Sequence, residues 1–308
     1  MTVWTRLRRD PWALAGAIVV LLFLVAALAA PLLPVLTGRD PTTYDLDALD
    51  GTGAPKGFLG GVSPAHWFGV EPLTGRDLFA IVLYGSRLSI LVGVGATVVS
   101  VALGVLVGLV AGYAGGWVDR IISRIVDVML GFPSLVFMIA LTAIVAASFP
   151  RPVLLVLVIG LFGWPAVARV IRGQVLSLKQ RAFVRASRAM GAGFGHVAAR
   201  QLLPNLGATV IVYSTILVPS FIGTEAALSF LGVGVPPPTP SWGRSIGDAV
   251  AWFSTDPAYV AFPGGALFLI TLAFNVLGDG LRDALDPRTT RRRRRRALPT
   301  TAEAEARP

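Results

Sequence analysis

The sequence predicts an all-α integral membrane protein with six transmembrane helices and with both termini in the cytoplasm. The 308 residues are 54% hydrophobic and only 14% charged, whereas soluble domains carry about 25% charged residues. The charged residues are concentrated in short stretches that are separated by long uncharged runs. Six of these runs reach or approach the roughly 20 apolar residues that a helix needs to cross a bilayer.

The first predicted span covers residues 11–38 and follows a basic segment that contains Arg6, Arg8 and Arg9. A secretory signal peptide begins in a similar way, but its apolar region has only about 7–15 residues. The run of 28 uncharged residues therefore favours a helix that is not cleaved. The other five windows are residues 88–118, 128–150, 152–168, 201–224 and 257–278.

The distribution of Lys and Arg predicts the orientation, because these residues are enriched in cytoplasmic loops. With the N-terminus inside, the cytoplasmic segments hold 21 of the 27 basic residues. Without the run at 291–296, the inside segments still hold 15 basic residues and the outside segments hold 6. Six spans then place the C-terminus inside as well, and we expect residues 289–308 to form a disordered basic tail.

Composition also limits the chemistry that the chain can perform. The sequence has no cysteine and only two histidines, His66 and His196, which lie far apart. This excludes disulfides and argues against a zinc or haem site. The net charge of +10 is compatible with binding to nucleic acid or to anionic lipid. Since most of the excess lies in short cytoplasmic segments, we interpret it as a topology signal, with no nucleic-acid partner.

Three loops are the candidate functional segments. Residues 39–82 and 231–256 are predicted to lie outside, and both are rich in Gly or Pro. The inside loop at 169–207 carries seven basic residues and no acidic residue. It is predicted to form two short helices at about 175–190 and 196–203, with Gly191 and Gly193 between them and a stop at Pro204. Such a unit is either an amphipathic interfacial element or a projection that fits a cytoplasmic partner.

This inside loop resembles the signature loop of ABC-importer permeases. The family pattern is Glu-Ala-Ala, three residues, Gly, nine residues, Ile, one residue and Leu-Pro, and the present spacing agrees with it throughout. Arg185, Ser187 and Gln201 replace the Glu, the second Ala and the Ile. The resemblance assigns the contact with an ATPase subunit to the following residues. They are Arg185, Ala186, Ser187, Ala189, Gly191, Leu203 and Pro204.

Further segments resemble the C-type permease subunit of dipeptide, oligopeptide and nickel importers, over about residues 5–288. Several segments carry this likeness, and their order and spacing are more specific than any one of them. They are residues 66–69 followed by 73–77, residues 85–89, residues 112–120, Thr224-Glu-Ala-Ala-Leu-Ser-Phe-Leu-Gly232 with residues 237–243, and residues 274–287. The resemblance implies the type I ABC importer fold, with a first segment at 1–38, an extracytoplasmic loop at 39–82 and a core permease domain at 83–288.

The same resemblance implies the partners and the location. A second, homologous permease subunit would complete the pore as a heterodimer, two ATPase subunits would bind the inside loops, and an extracytoplasmic binding protein would deliver the substrate. The chain contains no Gly-rich phosphate-binding loop with Lys and Ser or Thr, so we expect it to bind no cofactor while its partners hydrolyse ATP. The implied location is the cytoplasmic membrane of a bacterium or archaeon.

Glu225 is the only acidic residue between Asp127 and Asp248, and it lies at the predicted outer end of span five. Ionisable residues near a membrane are costly and often functional, so Glu225 is a candidate for an outer gate. The alternative is a structural role, with Arg244 or nearby backbone amides as its partner.

Two function classes remain open at this point. An ATP-driven peptide importer subunit is favoured over an ion- or proton-driven carrier or channel that works without an ATPase. Carriers usually place several ionisable residues within the membrane, and none of the six windows contains one. A membrane-bound enzyme would need a set of catalytic groups that the sequence lacks.

Overall fold

The computed structural model describes residues 7–146 and 148–285 of the chain. Within this part the protein is helical, and its only β-type pairings are two isolated bridges. Five helices are long and apolar enough to cross a membrane, and a sixth crossing results if one bent pair counts as a single span. The α-helices are α1 (Pro11–Ala29), α2 (Leu33–Thr37), α3 (Leu78–Ala114), α4 (Gly116–Gly131), α5 (Ser134–Ile144), α6 (Arg151–Lys179), α7 (Ala182–Ala189), α8 (Phe194–Val197), α9 (Leu203–Phe230), α10 (Trp242–Ala249) and α11 (Ala258–Leu285).

The helix bundle has two chemically different ends. At one end, α3 and α6 finish side by side, and Lys179 Nζ donates to the carbonyl oxygen of Tyr113 over 2.8 Å. We name this the inner end, because the charge distribution predicts that it faces the cytoplasm. The opposite, outer end carries residues 39–77 and 231–257, which together form what we call the outer cap.

The central contact of the bundle joins α3 to α6. Glycines at one-turn spacing on α3 let the backbones approach closely, as expected for small residues at membrane helix interfaces. A Cβ atom at Gly104 would lie 2.5 Å from Val167 Cβ, and one at Gly108 would lie 2.6 Å from the carbonyl oxygen of Ala168. Gly104 and Gly108 therefore bring the backbones of α3 and α6 into close contact.

The N-terminal helix α1 packs against α11 through similar contacts. A Cβ atom at Gly16 would lie 2.8 Å from the carbonyl oxygen of Ala273, and one at Gly280 would lie 2.2 Å from Ala13 Cβ. Asp10 caps the start of α1 by accepting hydrogen bonds from the amides of Trp12 and Ala13. The first predicted span is thus an integral part of the helix bundle.

The third predicted span, residues 128–150, differs most from the structure. Instead of one straight helix, α4 and α5 meet at Phe132 and Pro133 with a bend of 86°. Pro133 cannot donate to a helical hydrogen bond and disfavours helical geometry at the residue before it. Helix α4 also begins at Gly116, twelve residues before the predicted window. The window missed this part because the charged residues of α4 exclude it from a count of apolar residues.

Other predicted windows were shorter than the helices that the structure shows. Helix α3 starts at Leu78 because the Asp77 side chain accepts a hydrogen bond from the amide of Ala80. Helix α6 continues through Arg169 and Arg172 to Lys179, so the first part of the predicted inside loop belongs to α6. The predicted tail at 289–308, with its arginine run, lies outside the described residues.

Candidate functional site

The inner end carries a compact basic unit, which we define as residues 181–203. It contains α7, α8 and a π turn at Ala198–Leu202 that leads into α9. Helix α7 is amphipathic, since Val184 and Ser187 are buried whereas Arg185, Ala186 and Ala189 are exposed. The predicted helix at 175–190 is wrong in its first part, where α6 and the turn at 180–181 occupy those residues.

Gly191 ends α7 in a Schellman motif. Its backbone has φ +86°, a conformation in which side-chain-bearing residues are strained. The amide of Gly191 donates to the carbonyl of Arg188 over 3.0 Å, and the amide of Ala192 donates to that of Ser187 over 3.1 Å. These two bonds satisfy carbonyls that the helix end would otherwise leave unpaired. Gly191 therefore sets the direction in which the chain leaves α7.

Gly193 has a different role from Gly191, although both lie between the two short helices. It precedes α8 with φ −74° and ψ 168°, an extended conformation that any residue can adopt. Neither glycine has a neighbouring atom within 4 Å of where a Cβ would lie. The requirement for glycine is thus confined to Gly191 and arises from its backbone conformation.

Apolar contacts attach the basic unit to the membrane helices. Val184, Val197 and Leu202 are fully buried in one cluster with Leu109 of α3 and Val175 of α6. This cluster joins residues that are far apart in the chain. The basic unit is therefore packed directly against α3 and α6.

Tyr113, near the end of α3, adds aromatic contacts to this attachment. Its ring lies 4.8 Å from that of Phe194, measured between centroids, and the guanidinium carbon of Arg188 lies 5.5 Å from the Tyr113 ring centre. Both arrangements are favourable contacts of aromatic rings. Tyr113 thus connects the end of α3 to both halves of the basic unit.

Pro204 does not end a helix, which corrects the predicted stop. It lies in the first turn of α9, where its missing N–H is tolerated. Because Pro204 cannot donate to the carbonyl of Arg200, the regular ladder is interrupted there, and the preceding residues form the π turn. Leu203 and Pro204 are exposed and connect the basic unit to α9 without a loop.

The exposed side of the basic unit combines apolar and basic side chains. Met190 is 82% exposed at the tip, and Phe183 and Phe194 are also exposed. Arg185 is exposed and has no ion-pair partner among the residues that the structure describes. A surface that combines exposed apolar and basic side chains is suited to contact with another protein.

Glu225 is buried within α9 and is held by hydroxyl groups. Ser89 Oγ donates over 2.9 Å, Ser229 Oγ over 2.7 Å and Ser241 Oγ over 3.2 Å to its carboxylate oxygens. Arg244, the partner considered from the sequence, instead lies 3.4 Å from Asp248. Glu225 therefore joins α3, α9 and the start of α10. The predicted window ended at residue 224, directly before Glu225, whereas α9 continues to Phe230.

The outer cap contains a buried ion pair that the sequence did not reveal. Arg76 Nε and Nη2 donate to Glu71 over 2.6 Å and 2.9 Å, and the Tyr259 hydroxyl of α11 donates to Glu71 over 2.7 Å. Burial alone would raise the pKa of Glu71. The positive charge of Arg76 and the hydrogen bonds from Arg76, Thr74 and Tyr259 outweigh this effect, so the pKa of Glu71 is lowered. A bond of 3.2 Å from Arg76 to the carbonyl of Pro238 extends the network to the second outer loop.

A second network connects the start of α3 to the outer cap. His66 Nδ1 lies 2.9 Å from Asp77 Oδ2, and His66 Nε2 lies 3.3 Å from Asp45 Oδ2. Because Asp77 also caps α3, these contacts fix residues 45–77 to the membrane helix. Among the described residues, no group of three His, Asp or Glu side chains is arranged to hold a metal ion.

A cavity of about 440 Å³ lies between α5, α6 and α9. Its walls combine the hydroxyl groups of Ser134, Ser220 and Thr224 with apolar side chains such as Phe162 and Phe221. None of the residues that line it is charged. The sequence signal for this cavity is weak, since hydroxyl residues on a membrane helix commonly bond to their own backbone, as Thr224 does to Ser220.

Comparisons with known proteins agree with this architecture. Residues 104–291 match the family described as binding-protein-dependent transport system inner membrane component, and residues 1–51 match the N-terminal transmembrane domain of oligopeptide transport permease C. The glutathione transport system permease protein GsiD of Escherichia coli O6:K15:H31 is 39% identical over 92% of this chain and 89% of the relative. The protein of the same name from Shigella dysenteriae serotype 1 is 40% identical over the same shares.

Proposed function

This chain belongs to the family of binding-protein-dependent transport system inner membrane components and is the inner-membrane permease component of an ABC importer, and we propose that its basic unit couples it to ATPase subunits. In this proposal a second, homologous permease subunit completes the pore. Two ATPase subunits bind the inner end and hydrolyse ATP, and a binding protein delivers the substrate to the outer cap. The chain itself catalyses no reaction and binds no nucleotide.

The attachment of the basic unit to α3 and α6 is the observation that carries this proposal. Arg185, Ala186, Ser187, Ala189 and Gly191 belong to one short helix and its Schellman end. The exposed side of this helix is available to a partner, while Val184 on its buried side packs with Leu109 of α3 and Val175 of α6. A partner that moves on binding ATP would therefore move α3 and α6 with it.

Leu203 and Pro204 complete the proposed coupling path. Because they start α9 directly after the π turn, a displacement of the basic unit also reaches α9, which lines the neutral cavity. The transporter would alternate between outward-open and inward-open states, with the ligands at its two ends shifting the equilibrium between them.

We propose short peptides of the glutathione class as the cargo. The names of the relatives indicate a tripeptide substrate for those proteins. The cavity between α5, α6 and α9 has a suitable size and hydroxyl groups that can exchange hydrogen bonds with a peptide. Because its lining is uncharged, a peptide with both positive and negative groups would pass without being held by one strong ion pair.

Reconstitution tests this proposal. The chain is placed in proteoliposomes with its cognate permease, ATPase and binding-protein subunits, and uptake of glutathione and of a panel of dipeptides is measured. We expect uptake that requires ATP on the ATPase side. Uptake by this chain without ATPase subunits, driven by a proton or sodium gradient, would instead establish a carrier. Stimulated ATP hydrolysis without uptake of any tested peptide would contradict the proposed cargo but not the proposed coupling to ATPase subunits.

A further inference from the structure

Helix α4 has one side that faces the protein and one that does not. On the first side, Asp119 is paired with Arg172 of α6, and Asp127 is paired with Arg169 of the same helix. Val126 of the same helix is buried. These contacts fix the rotation of α4 about its axis and therefore determine which of its residues point away from the bundle.

The direction of α4 follows from the helix that succeeds it. Helix α5 runs antiparallel to α6, since Arg151 of α6 donates to the carbonyl of Thr142 and the rings of Phe137 and Phe162 are 6.4 Å apart. Because α4 is bent by 86° from α5, it lies roughly across the bundle axis.

The two ion pairs of α4 support this direction. Asp119 and Asp127 are eight residues apart on α4, which is about 12 Å along a helix, whereas their partners Arg172 and Arg169 are about 4.5 Å apart. Partners with such unequal spacing indicate helices that cross. Helix α4 therefore crosses α6 near the inner end of the bundle.

The free side of α4 is apolar, with a basic edge. Trp117, Ile121, Ile125 and Val128 are 71%, 50%, 48% and 57% exposed, and they fall within about 80° of the helix circumference. Arg120 and Arg124 lie one turn apart beside this stripe, are exposed, and have no ion-pair partner in the described part of the chain.

We propose that α4 lies in the membrane interface and binds anionic phospholipids in the leaflet at the inner end. The apolar stripe would enter the acyl-chain region, Trp117 would lie at the headgroup level, and Arg120 and Arg124 would bind headgroup phosphates. Charge complementarity favours lipid as the occupant, since an anionic bilayer surface supplies negative charge directly beside apolar chains. This lipid contact is separate from cargo and from ATPase coupling.

The first test measures the depth of α4 in the bilayer. The chain has no cysteine, so a fluorophore can be attached to Ile121→Cys or, as a matched control on the protein-facing side, to Ser123→Cys. The purified transporter is placed in vesicles whose lipids carry bromine on the acyl chains. We expect strong quenching at position 121 and weak quenching at 123. Equal quenching at both positions, or cross-linking of position 121 to another subunit without quenching, would overturn the proposal.

The second test measures headgroup preference. Wild-type protein is reconstituted in an equal mixture of phosphatidylcholine and phosphatidylglycerol, and the lipids that remain bound after mild detergent extraction are quantified. In the double variant Arg120→Gln/Arg124→Gln, the preference for phosphatidylglycerol over phosphatidylcholine should fall, by up to about fivefold for each arginine removed. The control Arg181→Gln/Arg200→Gln removes the same charge from the basic unit and should keep the preference. Equal losses in both variants, or no loss in the first, would contradict a lipid site on α4.

Discussion

The basic unit and the outer cap both connect membrane helices, but they are attached to the bundle in different ways. The basic unit is held by apolar contacts around Val184 and Val197, and its Arg185 remains exposed. In the outer cap, charges are buried and paired, as in Glu71 with Arg76. The difference indicates that Arg185 of the basic unit is available to a partner, whereas Glu71 and Arg76 of the outer cap are used within the chain.

The largest expected effect is on coupling at the inner end. Gly191→Pro should abolish ATP-dependent uptake, because proline fixes φ near −65° and removes the amide that bonds to Arg188. Membrane insertion and expression should be unchanged, since position 191 is exposed. Uptake by the reconstituted transporter measures the effect, with Gly193→Ala as the control that keeps wild-type activity. Normal ATP-coupled uptake by Gly191→Pro would show that the Schellman end is not needed.

The buried pair of the outer cap should produce the next largest effect, on stability rather than on coupling. Arg76→Met leaves Glu71 buried without its cation and should lower the free energy of unfolding by about 3 kcal/mol. Denaturant titration in detergent measures this value. The matched control Lys56→Met, at an exposed position of the same loop, should change it by less than about 0.5 kcal/mol. Similar losses in both variants would contradict a special role for the buried pair.

Glu225 allows the structural and gating interpretations to be separated. Glu225→Ala removes the acceptor of three serine hydroxyls and should destabilise the protein by about 2 kcal/mol. Glu225→Gln keeps an acceptor of the same size and should retain most uptake. If the glutamine variant is stable but does not transport, the carboxylate itself acts at an outer gate.

A smaller effect should appear as a pH dependence of the outer cap. The pKa of Glu71 is below its ordinary value of 4.5, so its ionised form stabilises the folded state. This contribution is complete above the pKa of the unfolded chain and is lost as the pH falls through the lower pKa of the folded state. Between about pH 6 and about pH 3, the free energy of unfolding should fall, and it should fall less in Glu71→Gln than in the wild type. An identical pH dependence in both proteins would contradict the assignment.

The smallest expected effect on stability lies at the inner end. Arg185→Ala should change the free energy of unfolding by less than about 0.5 kcal/mol, because the side chain is exposed and has no ion-pair partner among the described residues. The same variant should weaken binding of the ATPase subunits, measured by titration of the purified subunits against the reconstituted permease. A loss of stability without a loss of ATPase binding would place Arg185 in the fold rather than in the interface.

Hydropathy could predict the membrane helices because uncharged runs of sufficient length have no other stable environment. It missed the first part of α4 and the inner part of α6, because both contain charged residues. In the structure these charges form the pairs Asp119–Arg172 and Asp127–Arg169, which a count of apolar residues cannot detect. The Gly191 turn was predictable from its spacing. The start of α9 at Leu203 was not predictable, since Pro204 is compatible both with a helix end and with the first turn of a helix. The pairing of Glu71 with Arg76 and Tyr259 depends on contacts between distant segments.

Cross-linking from the tip of the basic unit tests the central proposal most directly. A photoreactive cross-linker on Met190→Cys, in the assembled and active transporter, should capture an ATPase subunit. The same group on Asp47→Cys, in the outer cap, should not. Introducing Gly191→Pro beside Met190→Cys should strongly reduce the capture. Capture of no ATPase from position 190, or equal capture from positions 190 and 47, would contradict the assignment of the basic unit as the ATPase contact.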